Sequence, residues 1–307
     1  MTQTHVPNLL NDPTATCISA GDTEATFLPG YGMVGISLRK SGIEVLRRID
    51  NLIVASAANR TAGIPFLFPF ANRLADFRYE AAGRGVTLPP HSLSLRYDQN
   101  GLPMHGLMWP HLQWEIVEAS DTSLSARLDW SHPQGLAVFP YPCRLSMTAS
   151  IASGSLTIET VLAATGDIEV PVSFGFHPYF GLDGNRTDWR IALPEMQHLK
   201  LDARQIPTGA SVPFSGLDGR LGTRDFDDGF ALTCPTATLS IGYEGLRISV
   251  DLLEGYTHTQ VYAPHDQNYI AFEPMTAPAN ALISGDGLRL VPQGGSFRAT
   301  FRIRIEN

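Results

Sequence analysis

The dominant hydrophobic period along the chain is two. Leu124 to Trp130 (LSARLDW) alternates apolar and polar positions, and so does Arg144 to Ile151 (RLSMTASI). A Ser153-Gly154 turn leads on into SLTIETVL, so these last two runs predict a hairpin. Ala237 to Leu253 (ATLSIGYEGLRISVDLL) predicts another, turning near Glu244-Gly245. The final run, FRATFRIRIE, puts Phe297, Ala299, Phe301, Ile303 and Ile305 on one strand face. No amphipathic helix of more than three turns stands out, and the β-α-β alternation of a doubly wound sheet is missing. Short strands punctuated by 28 Gly and 22 Pro predict an all-β sandwich or barrel. With no linker and no fixed-period repeat, residues 1–307 read as one domain, residues 1–20 forming an arm or an edge strand.

Composition narrows the function classes. The chain is 43% hydrophobic and 17% charged, with a net charge of -8. Its basic residues are scattered, with no run longer than Arg47-Arg48, which argues against a nucleic-acid partner. Cys17, Cys143 and Cys234 are odd in number, far apart and without CxxC spacing, so they read as buried thiols in a reducing compartment. No apolar run reaches the length of a spanning helix, and MTQTHVPNLLNDPT lacks the plan of a secretory signal. The expectation is a cytoplasmic protein without a membrane partner.

Four segments depart from generic strand or turn. In Gly63 to Glu80 (GIPFLFPFANRLADFRYE) a rigid Pro/Phe run delivers Asn72 and Arg73; the guanidinium offers fixed planar donors for hydroxyls, or an ion pair with Asp76. In Gly101 to Ile116 (GLPMHGLMWPHLQWEI) His105 lies in a turn-like stretch, with Trp109 and Trp114 at hand as flat apolar faces for sugar C–H groups. The alternative is a structural His that satisfies backbone groups. In Val170 to Leu182 (VPVSFGFHPYFGL) His177 ends an apolar run before Pro178, among Phe174, Phe176, Tyr179 and Phe180, where partial desolvation suits either an acid catalyst or a core His. In Asn268 to Leu282 (NYIAFEPMTAPANAL) Glu273 closes the apolar YIAF just before Pro274. A carboxylate there is rarely buried unless paired or functional, which makes it the leading candidate for a general base.

Asp225, Asp227 and Asp228 crowd RDFDDGF, but the order of a calcium loop is missing, so a polyol-binding carboxylate is the better reading. Phosphate loops, nucleophile elbows and HExxH helices do not occur.

Phe68-Pro69-Phe70-Ala71-Asn72-Arg73, His105-Gly106, His177-Pro178-Tyr179-Phe180, Asp227-Asp228-Gly229-Phe230 and a late Glu273 occur in the order of the aldose 1-epimerase (galactose mutarotase) family, and the chain resembles that family from about residue 20 to 305. The resemblance implies a large β-sandwich of the galactose mutarotase-like (supersandwich) type with a cleft on one sheet. It implies that Glu273 takes the proton of the C1 hydroxyl and His177 protonates the ring oxygen, the two standing across the cleft a single sugar ring apart. Arg73, His105, Asp227 and Asn72 would hold the sugar. Opening and reclosing a pyranose needs only an acid and a base near neutral pH, so no cofactor, metal or covalent nucleophile is expected. The partner would be a small-molecule sugar and the protein a monomer or homodimer.

The chain departs from the best-known pattern at Phe176, where Asn usually precedes the His, at Gly181, where Asn follows Tyr-Phe, and at Pro274-Met275, where Thr-Gln follows the Glu. In this it resembles a divergent bacterial branch whose sugars are often unassigned. Two alternatives use the same fold. A hexose-6-phosphate 1-epimerase would need extra cations, which an acidic chain does not favour. A non-catalytic carbohydrate-binding protein would have no need for both His177 and Glu273.

Overall fold

The computed structural model describes residues 13–47, 61–90, 92, 94–107 and 109–306. The expected N-terminal arm falls largely on residues 1–12, outside the described part; Thr16–Ala20 forms the edge strand of a four-stranded sheet.

The alternating runs form the hairpins they predict. Cys143–Ala152 and Ser155–Ala164 pair without interruption from Cys143 opposite Ala164 to Ala152 opposite Ser155. Ala237–Tyr243 and Leu246–Glu254 pair around Glu244 and Gly245, both at positive φ, the combination a two-residue hairpin turn requires. The final strand, Ser296–Glu306, joins the two hairpins at the centre of a nine-stranded antiparallel sheet. Its residues Ala299, Phe301, Ile303 and Ile305 are buried, as the period of two demands. Among the described residues helix is confined to short pieces such as Pro133–Val138 and Ala281–Ser284.

A second sheet of eight strands carries the site. Its order runs Pro207–Phe214, Met196–Leu201, Phe226–Leu232, His258–Ala263, Ile270–Met275, Gly175–Phe176 and Phe66–Leu67, with Tyr179–Phe180 pairing back onto Ile270–Met275. One face of this sheet packs on the core through Phe176, Phe180, Ile270 and Phe272. The Phe176 ring meets Phe301 of the large sheet at 5.0 Å, closing the sandwich. One connected cluster of buried side chains runs from Ile18 to Ile305. Residues of opposite parity on the second sheet face the other way, into a cleft.

Trp109 and Trp114, expected beside a sugar, are core residues at 2% and 4% exposure. Trp109 packs on Tyr31 with Leu28, Val34, Ile36 and Ala62, and Trp114 packs edge-on to Phe66. Both indoles are large enough that burial outweighs any local turn signal around them. Of the three free cysteines only Cys143 is buried; Cys17 and Cys234 sit on strand and turn surfaces.

Candidate active site

Strand register makes the central pair. Gly175 pairs with Met275 and Tyr179 with Ala271 in one antiparallel alignment, which sets His177 directly opposite Glu273. Side chains opposite each other in an antiparallel pair share a face and sit close. His177 Nε2 lies 3.0 Å from Glu273 Oε1, with both side chains almost wholly buried. Proline follows each residue, Pro178 and Pro274, and neither has an N–H to give the ladder. His177 falls in the resulting gap between two short strands. Glu273, however, is inside its strand rather than at the end, because Pro274 still faces Thr259 of the next strand.

The pair is therefore in contact, not a sugar ring apart. The reason is the register: directly opposite positions of an antiparallel pair bring the two side chains together on one face.

The Tyr179 hydroxyl is 3.2 Å from His177 Nε2 and also hydrogen-bonds Thr61, and the Tyr179 ring stacks on the imidazole at 4.1 Å. Burial holds the Tyr179 phenol protonated, well above its ordinary pKa. Glu273 Oε2 and His177 Nδ1 are buried and have no protein partner among the described residues. Buried polar atoms without partners are uncommon, and in a cleft they favour a polar ligand.

His105 reaches the site on a different device. It lies within the strand Pro103–Leu107, but at φ 60, and Asn72 opposite it is at φ 57. The His105 N–H donates to the Asn72 carbonyl at 2.8 Å, and the Asn72 N–H donates back to His105 Nδ1 at 3.1 Å. Gly106 lets the two segments meet: a Cβ there would fall 2.1 Å from the Phe68 carbonyl oxygen. Nδ1 is an acceptor, so Nε2 carries the hydrogen of the neutral ring. Burial, then the charges of His177, Arg96 and Arg73, hold the His105 pKa well below its ordinary value. His105 is thus a fixed neutral donor, its ring 5.5 Å from that of His177.

Arg73 does not pair with Asp76. Its Nε binds Asp98 at 3.1 Å, its Nη1 binds Asn72 Oδ1 at 3.2 Å, and its Nη2 lies 3.7 Å from Asp227. Asn72 Oδ1 also accepts the Arg73 N–H, which leaves its Nδ2 hydrogens for the cleft. The three aspartates of RDFDDGF separate. Asp227 lines the cleft and accepts from Gln260 Nε2 at 2.7 Å. Asp228 points to the other face and binds His198 at 2.8 Å, and Asp225 approaches His265 at the surface.

All six sequence candidates, His177, Glu273, Arg73, His105, Asp227 and Asn72, line one cleft of about 480 Å³. That lies within the roughly 300–1,000 Å³ of small-ligand sites. Asp98, Gln260, Arg47, Arg96, Tyr262 and Tyr269 shape it without having been foreseen. Gln260 faces Glu273 across the sheet, and only the register reveals it. Among the described residues no cluster of three metal-ligating side chains occurs, and no helix is long and apolar enough to cross a membrane.

The fold is thus a two-sheet β-sandwich with a buried His–Glu contact in a polar cleft. The aldose 1-epimerase family profile matches residues 26–304, and the chain belongs to that family. Protein YihR of Escherichia coli K12 is 24% identical over 297 residues, covering 93% of this chain and 91% of its own. The Slr1438 protein of Synechocystis sp. PCC 6803 is 25% identical with a TM-score of 0.78 over 96% of each chain. A galactose mutarotase-like protein from Clostridium acetobutylicum shares the fold at a TM-score of 0.83, with 18% identity over 95% of each chain.

Proposed function

We propose that the protein is an aldose 1-epimerase, an isomerase that interconverts the α and β anomers of a free hexose, with Glu273 as base and His177 as acid. The observation that carries this reading is the buried His177–Glu273 contact at 3.0 Å inside a polar cleft of an aldose 1-epimerase family member. In the resting protein the two groups hold each other. A sugar entering the cleft replaces that contact with its own geminal oxygens. Glu273 takes the proton from the C1 hydroxyl, and the freed O–H electron pair forms the C1 carbonyl. The C1–ring-oxygen bond breaks, its electrons go to the ring oxygen, and His177 protonates that atom. The Tyr179 hydroxyl steadies the imidazole through this exchange, since a hydroxyl can accept from N–H or donate to bare nitrogen as required. After rotation about C1–C2 the hydroxyl adds back to the other carbonyl face. His177 then recovers its proton and Glu273 returns its own. His105 supplies a neutral N–H donor at the ring oxygen's side, and Arg73, Asp227 and Asn72 fix the remaining hydroxyls, a positional gain on top of roughly 10²–10⁴-fold from acid–base catalysis.

The test is polarimetry or NMR exchange on freshly dissolved α-glucose, α-galactose and other aldoses. Acceleration over buffer is expected for at least one of them. If none responds, the catalytic reading fails.

A further inference from the structure

Gly101 follows Asn100, and at no other place in the chain does a glycine follow an asparagine. The two residues close the hairpin between Leu95–Tyr97 and Pro103–Leu107, the strand that delivers His105. The Gly101 N–H donates to the Asp98 carbonyl at 3.0 Å, the four-residue turn that Asp at the first place and Gly at the fourth favour. Asn100 and Gly101 are both exposed, and nothing lies within 4 Å of where a Gly101 Cβ would stand. The Gly101 nitrogen is therefore shielded neither by a side chain of its own nor by a neighbour. Only one exposed turn hydrogen bond holds it, and such bonds open locally at little free energy. The same turn is tied to the cleft, which Asp98 and Gln99 line. Asp98 Oδ1 accepts the N–H groups of Asn100 at 2.8 Å and Leu102 at 2.9 Å. Oδ2 of the same, almost wholly buried carboxylate accepts Arg73 Nε at 3.1 Å and Asn100 Nδ2 at 3.4 Å. Asn100 and Arg73 thus donate to one oxygen.

We propose that Asn100 is a site of spontaneous deamidation, and that its conversion loosens the hold of Asp98 on Arg73. The Gly101 nitrogen, having given its proton to water, bonds to the side-chain carbonyl carbon of Asn100. The bond from that carbon to Nδ2 breaks, and Nδ2 takes a proton from water and leaves as ammonia. Water then opens the cyclic imide at either carbonyl, leaving aspartate or isoaspartate at position 100. Water is the sole co-reactant. Either product replaces a donor at Asp98 Oδ2 by a second carboxylate, and like charges at this range repel. Isoaspartate also adds one carbon to the backbone between the two N–H groups that Asp98 Oδ1 caps, so one cap is lost and the carboxylate turns. In both cases the contact of Asp98 with Arg73 Nε weakens. The consequence for sugar binding rests on the mutarotation reading above; the consequence for Arg73 does not.

The experiment compares the wild type, Asn100→Asp and Asn100→Ser, fresh and after ageing in warm, mildly alkaline buffer made with heavy-oxygen water. Peptide mass spectrometry should find heavy oxygen at Asn100 ahead of every other asparagine of the wild type, and none at that position in Asn100→Ser. The NMR signal of the Arg73 Nε–H, assigned from its loss in Arg73→Lys, should shift as the wild type ages and in fresh Asn100→Asp. In Asn100→Ser ageing should leave that signal in place. KM for the best sugar should rise by about 3–10-fold in the converted wild type and in Asn100→Asp while kcat holds, the worth of one hydrogen bond. Conversion no faster at Asn100 than at the other asparagines overturns the proposal. So does complete conversion that leaves the Arg73 signal or KM unmoved. If no sugar is turned over, the mutarotation reading fails, and the masses and the Arg73 signal decide the proposal alone.

Discussion

Gly106→Ala probes how the fold positions His105. Gly106 has φ +65, a region an L side chain enters at about 1–2 kcal/mol. The added Cβ would also stand 2.1 Å from the Phe68 oxygen, 2.4 Å from its carbonyl carbon and 2.8 Å from the Pro69 nitrogen. All three are backbone atoms, so no rotamer can give way, and the segments must separate by roughly 1 Å to reach ordinary contact. That movement strains the Leu107 N–H to Phe68 and His105 N–H to Asn72 hydrogen bonds, worth about 1 kcal/mol each. The total comes to about 3–4 kcal/mol. Gly83→Ala is the control: it has φ +71 but nothing within 4 Å of a Cβ, so only the φ penalty applies. Thermal and urea unfolding should show Gly106→Ala losing about 2 kcal/mol more than Gly83→Ala. Anomer exchange should fall with it, because the His105 donor is no longer held by Asn72. Equal destabilisation of the two variants would refute the collision argument, whatever happens to activity.

Other outcomes follow from the same geometry. Glu273→Gln keeps the shape of the side chain but cannot take a proton, so exchange should drop about 10²–10⁴-fold while sugar binding persists; weakened binding with unchanged turnover per bound sugar would contradict the base assignment. Arg73→Lys cannot reach Asp98, Asn72 and Asp227 at once, so KM for the best sugar should rise about tenfold, read from initial rates; an unchanged KM would remove Arg73 from sugar binding. Burial lowers the His258 pKa from 6.5 to about 4. The unfolded chain therefore takes up that proton first, and the His258 contribution is present above pH 6.5 and lost as pH falls toward 4, on the order of 2–3 kcal/mol. His258→Gln should flatten urea stability across that window, and a slope identical to wild type would show that His258 does not titrate there.

Much of the fold is legible because burial on one face imposes a period of two, and the long hairpins keep it over many residues. The candidate residues are legible where local chemistry is odd: a carboxylate between Phe272 and Pro274, a His before Pro178, an Asn-Arg after a Phe-Pro run. What stays hidden comes together only through long-range pairing. Asp98 reads as an ordinary turn residue, since its Oδ1 caps the N–H groups of Asn100 and Leu102, and nothing local reports that its Oδ2 reaches Arg73. The choice of Asp227 over Asp228 depends on which face of Phe226–Leu232 looks into the cleft. The tryptophans mislead for the opposite reason: their chemistry suits a sugar face, but their size claims a place in the core.

The pairing of His177 with Glu273 ties the chemistry to the parity of two chain segments that lie nearly a hundred residues apart. A one-residue insertion between Gly175 and His177, or between Ala271 and Glu273, would turn one partner into the core and bring an apolar residue to the cleft in its place. Insertions in the connections between strands carry no such rule. Length can therefore drift in the loops of this sheet while the count within these two strands is held fixed, and a variant library with single-residue insertions would trace the boundary between the two regimes.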